Sequence, residues 1–242
     1  MKKQYWFIVL TYIIAQLSAG PGGFLLYFQF GIGEHIESTE NAILYASFYW
    51  LIGSFIVCLG ITICLLWHER YQRNELIGKP VSIPISISWI ISGVFIALIA
   101  QGIAASIEMY IFNIEPGSEN TEMITSFIQQ IPVLILVTSI IGPILEEIIF
   151  RKILFGVIYS KSNFIIAALI SSLLFSVVHG DLEHTLIYTA MGFTFAFLYY
   201  QTKRIIVPIM AHVLMNTFVV AIQLFYKPLL DEIVSNFISS LF

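Results

Sequence analysis

The chain has 242 residues, of which 58% are hydrophobic and only 11% are charged, so it has too few polar side chains to cover a globule in water. This composition excludes a water-soluble domain and indicates a protein of the membrane class. The net charge of −4 gives no indication of nucleic-acid binding, and we expect no nucleic-acid partner.

Seven apolar stretches are long enough to cross a bilayer, which takes about 20 residues of helix. They predict an all-α fold, a polytopic transmembrane bundle of about seven or eight helices, in one membrane-embedded domain over residues 1–242. The predicted spans are residues 5–30, 42–67, 84–113, 127–158, 163–180, 182–201 and 204–226. Residues 229–242 are a short amphipathic piece that either lies at the interface or belongs to an eighth span.

Glycine and proline interrupt two of these spans. The sequence SAGPGG at residues 18–23 predicts a kink or break in the first span. Gly142-Pro143 predicts an opening in the fourth span, which would admit water or a second backbone. In the sixth span, the small residues Thr185, Thr189, Gly192 and Ala196 recur at helical spacing and predict a close helix–helix contact.

Lysine and arginine fall on one side of the predicted spans. If the N-terminus is inside, the outer side receives only Lys227, and its loops at 31–41 and 114–122 are acidic. Because cytoplasmic loops carry the excess of basic residues, the sequence predicts an integral, multi-pass membrane protein with a cytoplasmic N-terminus.

The fourth span carries three charges in the sequence ILEEIIFR, residues 144–151. A charge at the centre of a membrane helix costs about 2.5–3.5 kcal/mol on insertion scales unless it finds a partner. Glu147 and Arg151 are four residues apart and share a helix face, so the sequence predicts an ion pair between them. Glu146 points about 100° away and needs a proton, water, a metal or another partner.

Two later spans supply polar groups that could meet Glu146. His179 follows Phe175 by four residues, and His212 and Asn216 share one helix face. Burying each group separately would be costly, so we predict that they converge with Glu146 on one site. In contrast, we interpret Asp181 and His184, in the turn between the fifth and sixth spans, as solvated loop residues.

Convergence requires that the spans are not all straight and upright. Counted from the inner flanks, Glu146 lies about 18 Å deep, His212 about 12 Å and His179 about 24 Å. A tilted fifth span or a kinked fourth span would bring the three residues to one depth.

These residue types are suited to hydrolysis. A glutamate and a histidine can hold and deprotonate a water, while a histidine and an asparagine can donate hydrogen bonds to an oxyanion. Glu146, His179 and His212 are also candidate ligands for zinc or another divalent metal. The same Glu/His set could instead form the relay of a proton- or cation-coupled transporter. A third alternative is a non-catalytic, peptide-binding immunity protein.

Three motifs follow one another on successive spans: EExxxR at 146–151, FxxxH at 175–179 and HxxxN at 212–216. In this order they resemble the motifs of the CPBP family, which comprises the CAAX-type prenyl endopeptidases and the Abi, or bacteriocin-processing and immunity-associated, intramembrane proteases. The resemblance covers about residues 127–220, the expected protease core. It implies about eight transmembrane helices around a polar intramembrane cavity.

The resemblance also implies an activity, hydrolysis of peptide bonds in membrane-associated peptides or proteins. By similarity, Glu146 and His179 activate the water, and His212 and Asn216 form the oxyanion site. Glu147 and Arg151 support these residues, and a metal requirement stays open. The compact chain with short loops is similar to prokaryotic members, so we expect a prokaryotic cell membrane, with the lipid bilayer and a membrane peptide or protein substrate as partners.

Overall fold

The computed structural model describes residues 2–67, 78–115, 117 and 119–226 of the chain. Within these ranges the chain forms nine helices and no strand, which confirms the predicted all-α bundle. The helices are α1 (Lys3–Leu17), α2 (Ala19–Phe30), α3 (Thr39–Trp67), α4 (Ile83–Phe112), α5 (Glu119–Gln130), α6 (residues 134–159), α7 (Phe164–Val178), α8 (Thr185–Thr202) and α9 (Ile206–Tyr226). The predicted amphipathic piece at 229–242 lies outside the described residues.

Three of these helices, α3, α4 and α9, are each long and apolar enough to cross a membrane. The helices α1 and α2 pass the same test only as a pair, and they are bent by 50° at Ser18, as in a broken span or a re-entrant loop. This bend confirms the predicted break at residues 18–23. Just beyond it, Gly23 lies against the backbone of Ser47 in α3, where no side chain would fit, so the glycine allows α2 to pack closely on α3.

The predicted fourth span, 127–158, is wrong at its start. A separate amphipathic helix, α5, ends at Gln130, and α6 begins only at Leu134. Pro132 lies between them, and its missing N–H and fixed φ favour a helix boundary.

The helix α6 winds irregularly. It contains two π-helical stretches, Val137–Ile141 and Glu147–Phe155, on either side of the short α-helical piece Gly142–Glu146. A π-helical turn rotates the residues that follow it, and such turns are frequent at functional sites. The charged sequence of the fourth span lies in and beside the second stretch.

The helices pack into one bundle with apolar side chains inside and outside. One buried cluster joins α1, α3, α5 and α6, and a second joins α4, α8 and α9. Between α7 and α8, Gly192 lies directly on Ser172, which confirms the predicted small-residue contact. Large apolar side chains also cover the outer surface, for example Phe95, Ile99 and Ile103 of α4. Such a surface suits contact with lipid, as expected for an integral membrane protein.

Candidate active site

A cavity of about 730 Å³ lies among α1, α3, α4, α6, α8 and α9. Glu146, His179, His212 and Asn216 all line it, together with Thr138. The structure therefore brings side chains from α6, α9 and the end of α7 to one space inside the bundle.

Glu146 faces His212 across the cavity floor. Its Oε2 lies 3.9 Å from His212 Nε2, and its side chain is 15% exposed while that of His212 is 1% exposed. The carboxylate can therefore reach water in the cavity while it remains close to a second titratable group.

The predicted ion pair of Glu147 with Arg151 is present and fully buried. Glu147 Oε2 lies 3.2 Å from Arg151 Nε. The guanidinium also lies over aromatic faces, with its Cζ 4.6 Å from the ring centre of Phe175 and 5.8 Å from that of Phe195. Cation–π contacts of this kind stabilise an arginine that is removed from water.

Glu147 has a second role that the sequence did not predict. Its Oε1 lies 3.0 Å from His212 Nδ1, on a residue 65 positions away in the chain. Because a carboxylate accepts, Nδ1 donates this hydrogen bond, and the Nε2 edge of the ring is directed to Glu146. Phe195 stacks on the ring at 4.5 Å between centroids and fixes its plane.

His179 caps the end of α7 and turns back along it. Its Nδ1 donates to the carbonyl of Phe175 at 2.7 Å, and the two rings are 4.5 Å apart, as the FxxxH spacing predicts. The imidazole also stacks on Tyr188, with 4.2 Å between the ring centroids, a contact that no sequence pattern indicated.

Gly142-Pro143 interrupts the regular hydrogen bonding of α6, as predicted. The carbonyl that this leaves unpaired accepts a hydrogen bond from a side chain, and not from a second backbone. Gly142 N–H donates to the carbonyl of Val137, five residues back. Pro143, five residues after Thr138, has no N–H to donate to the Thr138 carbonyl. Asn216 Nδ2 donates to that carbonyl instead, at 3.2 Å, so the break in α6 orients the asparagine beside His212.

Replacement of Gly142 by alanine should disturb this turn. A Cβ there would lie 2.9 Å from the Val137 carbonyl oxygen, which belongs to the same helix and cannot rotate away. We expect about 1–3 kcal/mol of destabilisation, typical of overpacking, measured by thermal unfolding in detergent. Gly102→Ala is the matched control, since it also lines the cavity but has nothing within 4 Å of its Cβ position. Equal melting temperatures for the two variants would contradict the role of Gly142.

The interpretation of Asp181 and His184 as solvated loop residues is wrong for His184. Its side chain is buried, with Nδ1 2.9 Å from Glu108 Oε2 and Nε2 2.7 Å from the Gly117 carbonyl. Asp181 is half-buried, and its Oδ1 accepts from the His184 backbone N–H at 3.4 Å.

Glu108, near the end of α4, is the centre of this cluster and was missed. Its Oε1 accepts from the backbone N–H groups of Leu186 and Ile187 at 2.9 and 3.1 Å, so it caps the start of α8. A carboxylate at a helix N-terminus is stabilising because it meets unpaired N–H groups and the positive end of the dipole. The only signal in the sequence was an acid inside the predicted span 84–113.

This cluster should make stability depend on pH. His184 lies in the connection between α7 and α8; burial lowers the pKa of its imidazole, but hydrogen bonds to Glu108 and to the Gly117 carbonyl raise it above 6.5 on balance. Because the pKa of His184 is raised in the folded state, its protonation stabilises the fold fully below pH 6.5. This stabilisation is lost as the pH rises through the folded-state pKa. We expect His184→Gln to remove this dependence from melting curves in detergent. His35→Gln, at an exposed histidine, is the control, and identical curves for His184→Gln and wild type would contradict the pairing.

The described residues contain no group of three or more His, Cys, Asp or Glu side chains arranged to hold a metal ion. Catalytic zinc usually takes three protein ligands. The Glu147 partner on Nδ1 of His212 leaves Nε2 available, but Glu146, His179 and His212 are not grouped around one point, so they do not form a three-ligand site as arranged and we derive no step through a metal. Whether the protein requires a metal stays open, and elemental analysis of the purified protein tests it.

Comparison with known proteins places this site in a family. Residues 128–218 match the family model described as "Type II CAAX prenyl endopeptidase Rce1-like". The chain is 56% identical over 226 residues to the "Putative membrane peptidase YdiL" of Bacillus subtilis (strain 168), covering 93% of this chain and 91% of the relative.

A more distant relative is the "Membrane-embedded CAAX protease MroQ" of Staphylococcus aureus (strain USA300). It is 38% identical over 164 residues, covering 64% of this chain and 66% of that protein. No solved structure matches the chain significantly. The three motifs, the helix bundle and these similarities together show that the chain belongs to the CPBP family of membrane-embedded proteases.

Proposed function

We propose that this intramembrane protease is an endopeptidase that hydrolyses peptide bonds with a water activated by Glu146 and His179. The observation that carries the proposal is that Glu146, His179, His212 and Asn216 line one cavity inside an apolar bundle. Polar groups are costly at this depth, and their arrangement around a common space favours a shared reaction over separate structural roles.

Water activation is assigned to Glu146 and His179 for two reasons. Glu146 is the carboxylate that faces the cavity, whereas Glu147 is fully buried and paired. Since Nδ1 of His179 donates to a backbone carbonyl, the neutral ring carries its lone pair on Nε2. Two acceptors can thus bind one water, and Glu146 takes its proton as the oxygen attacks the peptide carbonyl carbon.

The tetrahedral intermediate requires donors for its oxyanion. Asn216 gives one amide hydrogen to Thr138, and its second N–H can donate into the cavity. Nε2 of His212 is the second donor when the ring is protonated, because Nδ1 already donates to Glu147. Fixed donors of this kind supply a large part of catalysis in amide hydrolysis.

The reaction is completed by returning the proton. Glu146, protonated in the first step, can deliver its proton to the leaving nitrogen as the C–N bond breaks, which yields a carboxylic acid and an amine. The acid then passes its remaining proton to the amine or to water. Glu147 and Arg151 touch no reacting atom in this scheme. They are positioning residues, since the Arg151–Glu147–His212 chain orients the imidazole.

The test uses the full chain purified in detergent and synthetic peptides that span membrane segments. We expect cleavage by the wild type and its loss in Glu146→Ala and His179→Ala. Intact cleavage by either variant would refute the assignment of that residue. Proton or cation flux in liposomes that depends on Glu146, without any cleavage, would instead support the transporter alternative.

A further inference from the structure

The cavity extends from its polar floor toward one end of the bundle. Its floor is formed by Glu146 and His212, near the middle of α6 and in the first half of α9. Above them the lining comes from the half of each helix nearest one end; examples are Gln16, Phe48, Gln101, Ala105, Tyr188 and Val219. Gly117 and His184, in two connections at that end, also line it.

Hydrogen bonds between helix termini show which ends lie together. Gln16 near the end of α1 donates to the Val178 carbonyl at the end of α7, at 3.4 Å. Glu108 near the end of α4 accepts from Leu186 at the start of α8, at 2.9 Å. At the opposite end, Val81 N–H, just before α4, donates to the Thr202 carbonyl at the end of α8, at 3.0 Å. The cavity therefore opens at the end that holds the connections 31–38, 113–115 and 179–184.

These two ends differ sharply in charge. Among the described residues, the connections at the cavity end carry only acidic charges: Glu34, Glu37, Glu115, Asp181 and Glu183. We call this end the acidic face. The opposite end, the basic face, carries Lys2, Lys3, Lys79, Lys161, Lys203 and Arg204. Basic residues mark the cytoplasmic side of a membrane protein. The acidic face, which holds the cavity mouth, therefore lies on the outer side of the cell membrane.

The half of the bundle on the basic side of Glu146 is closed by packed side chains. Arg151, Ile153 and Phe155 of α6 are all fully buried. A polypeptide tail in the cytoplasm would have to displace this core to reach Glu146. Entry from the acidic face meets a preformed cavity instead.

We propose that this peptidase takes its substrate from the outer side of the cell membrane, as a polypeptide segment that has already been translocated. The proposal rests on the proposed function for the cleavage itself. The position of the cavity mouth, however, can be measured without any catalysis.

The experiment measures which side of the membrane reaches the cavity. Cys58 and Cys64 are replaced by alanine in the full chain, and single cysteines are introduced as Gln101→Cys in the cavity, Glu37→Cys on the acidic face and Lys161→Cys on the basic face. A small impermeant thiol reagent, a trimethylammonium methanethiosulfonate, is added to intact spheroplasts or to inverted membrane vesicles. Circular dichroism and detergent gel filtration confirm that each variant folds.

We expect Gln101→Cys and Glu37→Cys to react in spheroplasts, and Lys161→Cys to react only in inverted vesicles. Reaction of Gln101→Cys only in inverted vesicles, or in neither preparation, would overturn the proposal. Reaction of Glu37→Cys only in inverted vesicles would overturn it as well. Absence of peptidase activity in the same protein would leave the labelling result intact and count against the proposed function alone.

Discussion

The Glu146→Gln variant is expected to fold like the wild type and to lose peptidase turnover by about 10²- to 10⁴-fold in kcat, the usual contribution of a general base. Glutamine keeps the size of the side chain and its reach into the cavity but cannot take a proton from water. Glu147 and Arg151 still pair with each other in this variant, so the buried ion pair keeps both of its charges. Steady-state cleavage of the peptide found for the wild type gives kcat and KM separately.

Two controls make this prediction specific. Glu37→Gln removes an exposed acid outside the cavity and should leave kcat unchanged. Thermal unfolding of Glu146→Gln should match the wild type, so that lost activity does not reflect lost structure. Wild-type kcat in Glu146→Gln would show that another group activates the water.

The second large effect is expected at Arg151. Arg151→Met keeps most of the side-chain volume between Phe175 and Phe195 but leaves the Glu147 carboxylate buried without its cation. Breaking a buried pair from one side costs about 3–5 kcal/mol. For a chain of this size, that is a fall in melting temperature of roughly 10 °C, measured by thermal unfolding in detergent.

A double variant separates the effect of charge from that of packing. Glu147→Gln added to Arg151→Met removes the uncompensated charge, so much of the lost stability should return, as a double-mutant cycle reports. Lys161→Ala, at an exposed basic residue, should have no effect. If the double variant melts no higher than Arg151→Met, the pair does not contribute through its charge.

The contacts that the sequence predicted correctly are local in the chain. The Glu147–Arg151 pair, the contact between Phe175 and His179 and the break near Ser18 follow from helical spacing or from glycine and proline, which act within a few residues. The fold class followed from the apolar composition. Such features depend on the chain's own geometry and not on how the helices are arranged.

The contacts that were missed join residues far apart in the chain. Glu147 meets His212 across 65 positions, and Glu108 meets His184 across 76. Helical periodicity gives the direction of a side chain but not the neighbouring helix that it faces. Consequently Glu147 was assigned to Arg151 alone, and His184 was interpreted as a solvated residue although a buried carboxylate faces it.

The central claim, that Glu146 drives peptide-bond cleavage within the membrane, is tested most directly by mapping new protein termini in cells. Mass spectrometry would compare membrane fractions from cells that express equal amounts of the wild type or of Glu146→Gln. The mechanism predicts termini within or next to membrane segments that are present with the wild type and absent with the variant. The same termini at the same abundance in both would contradict it.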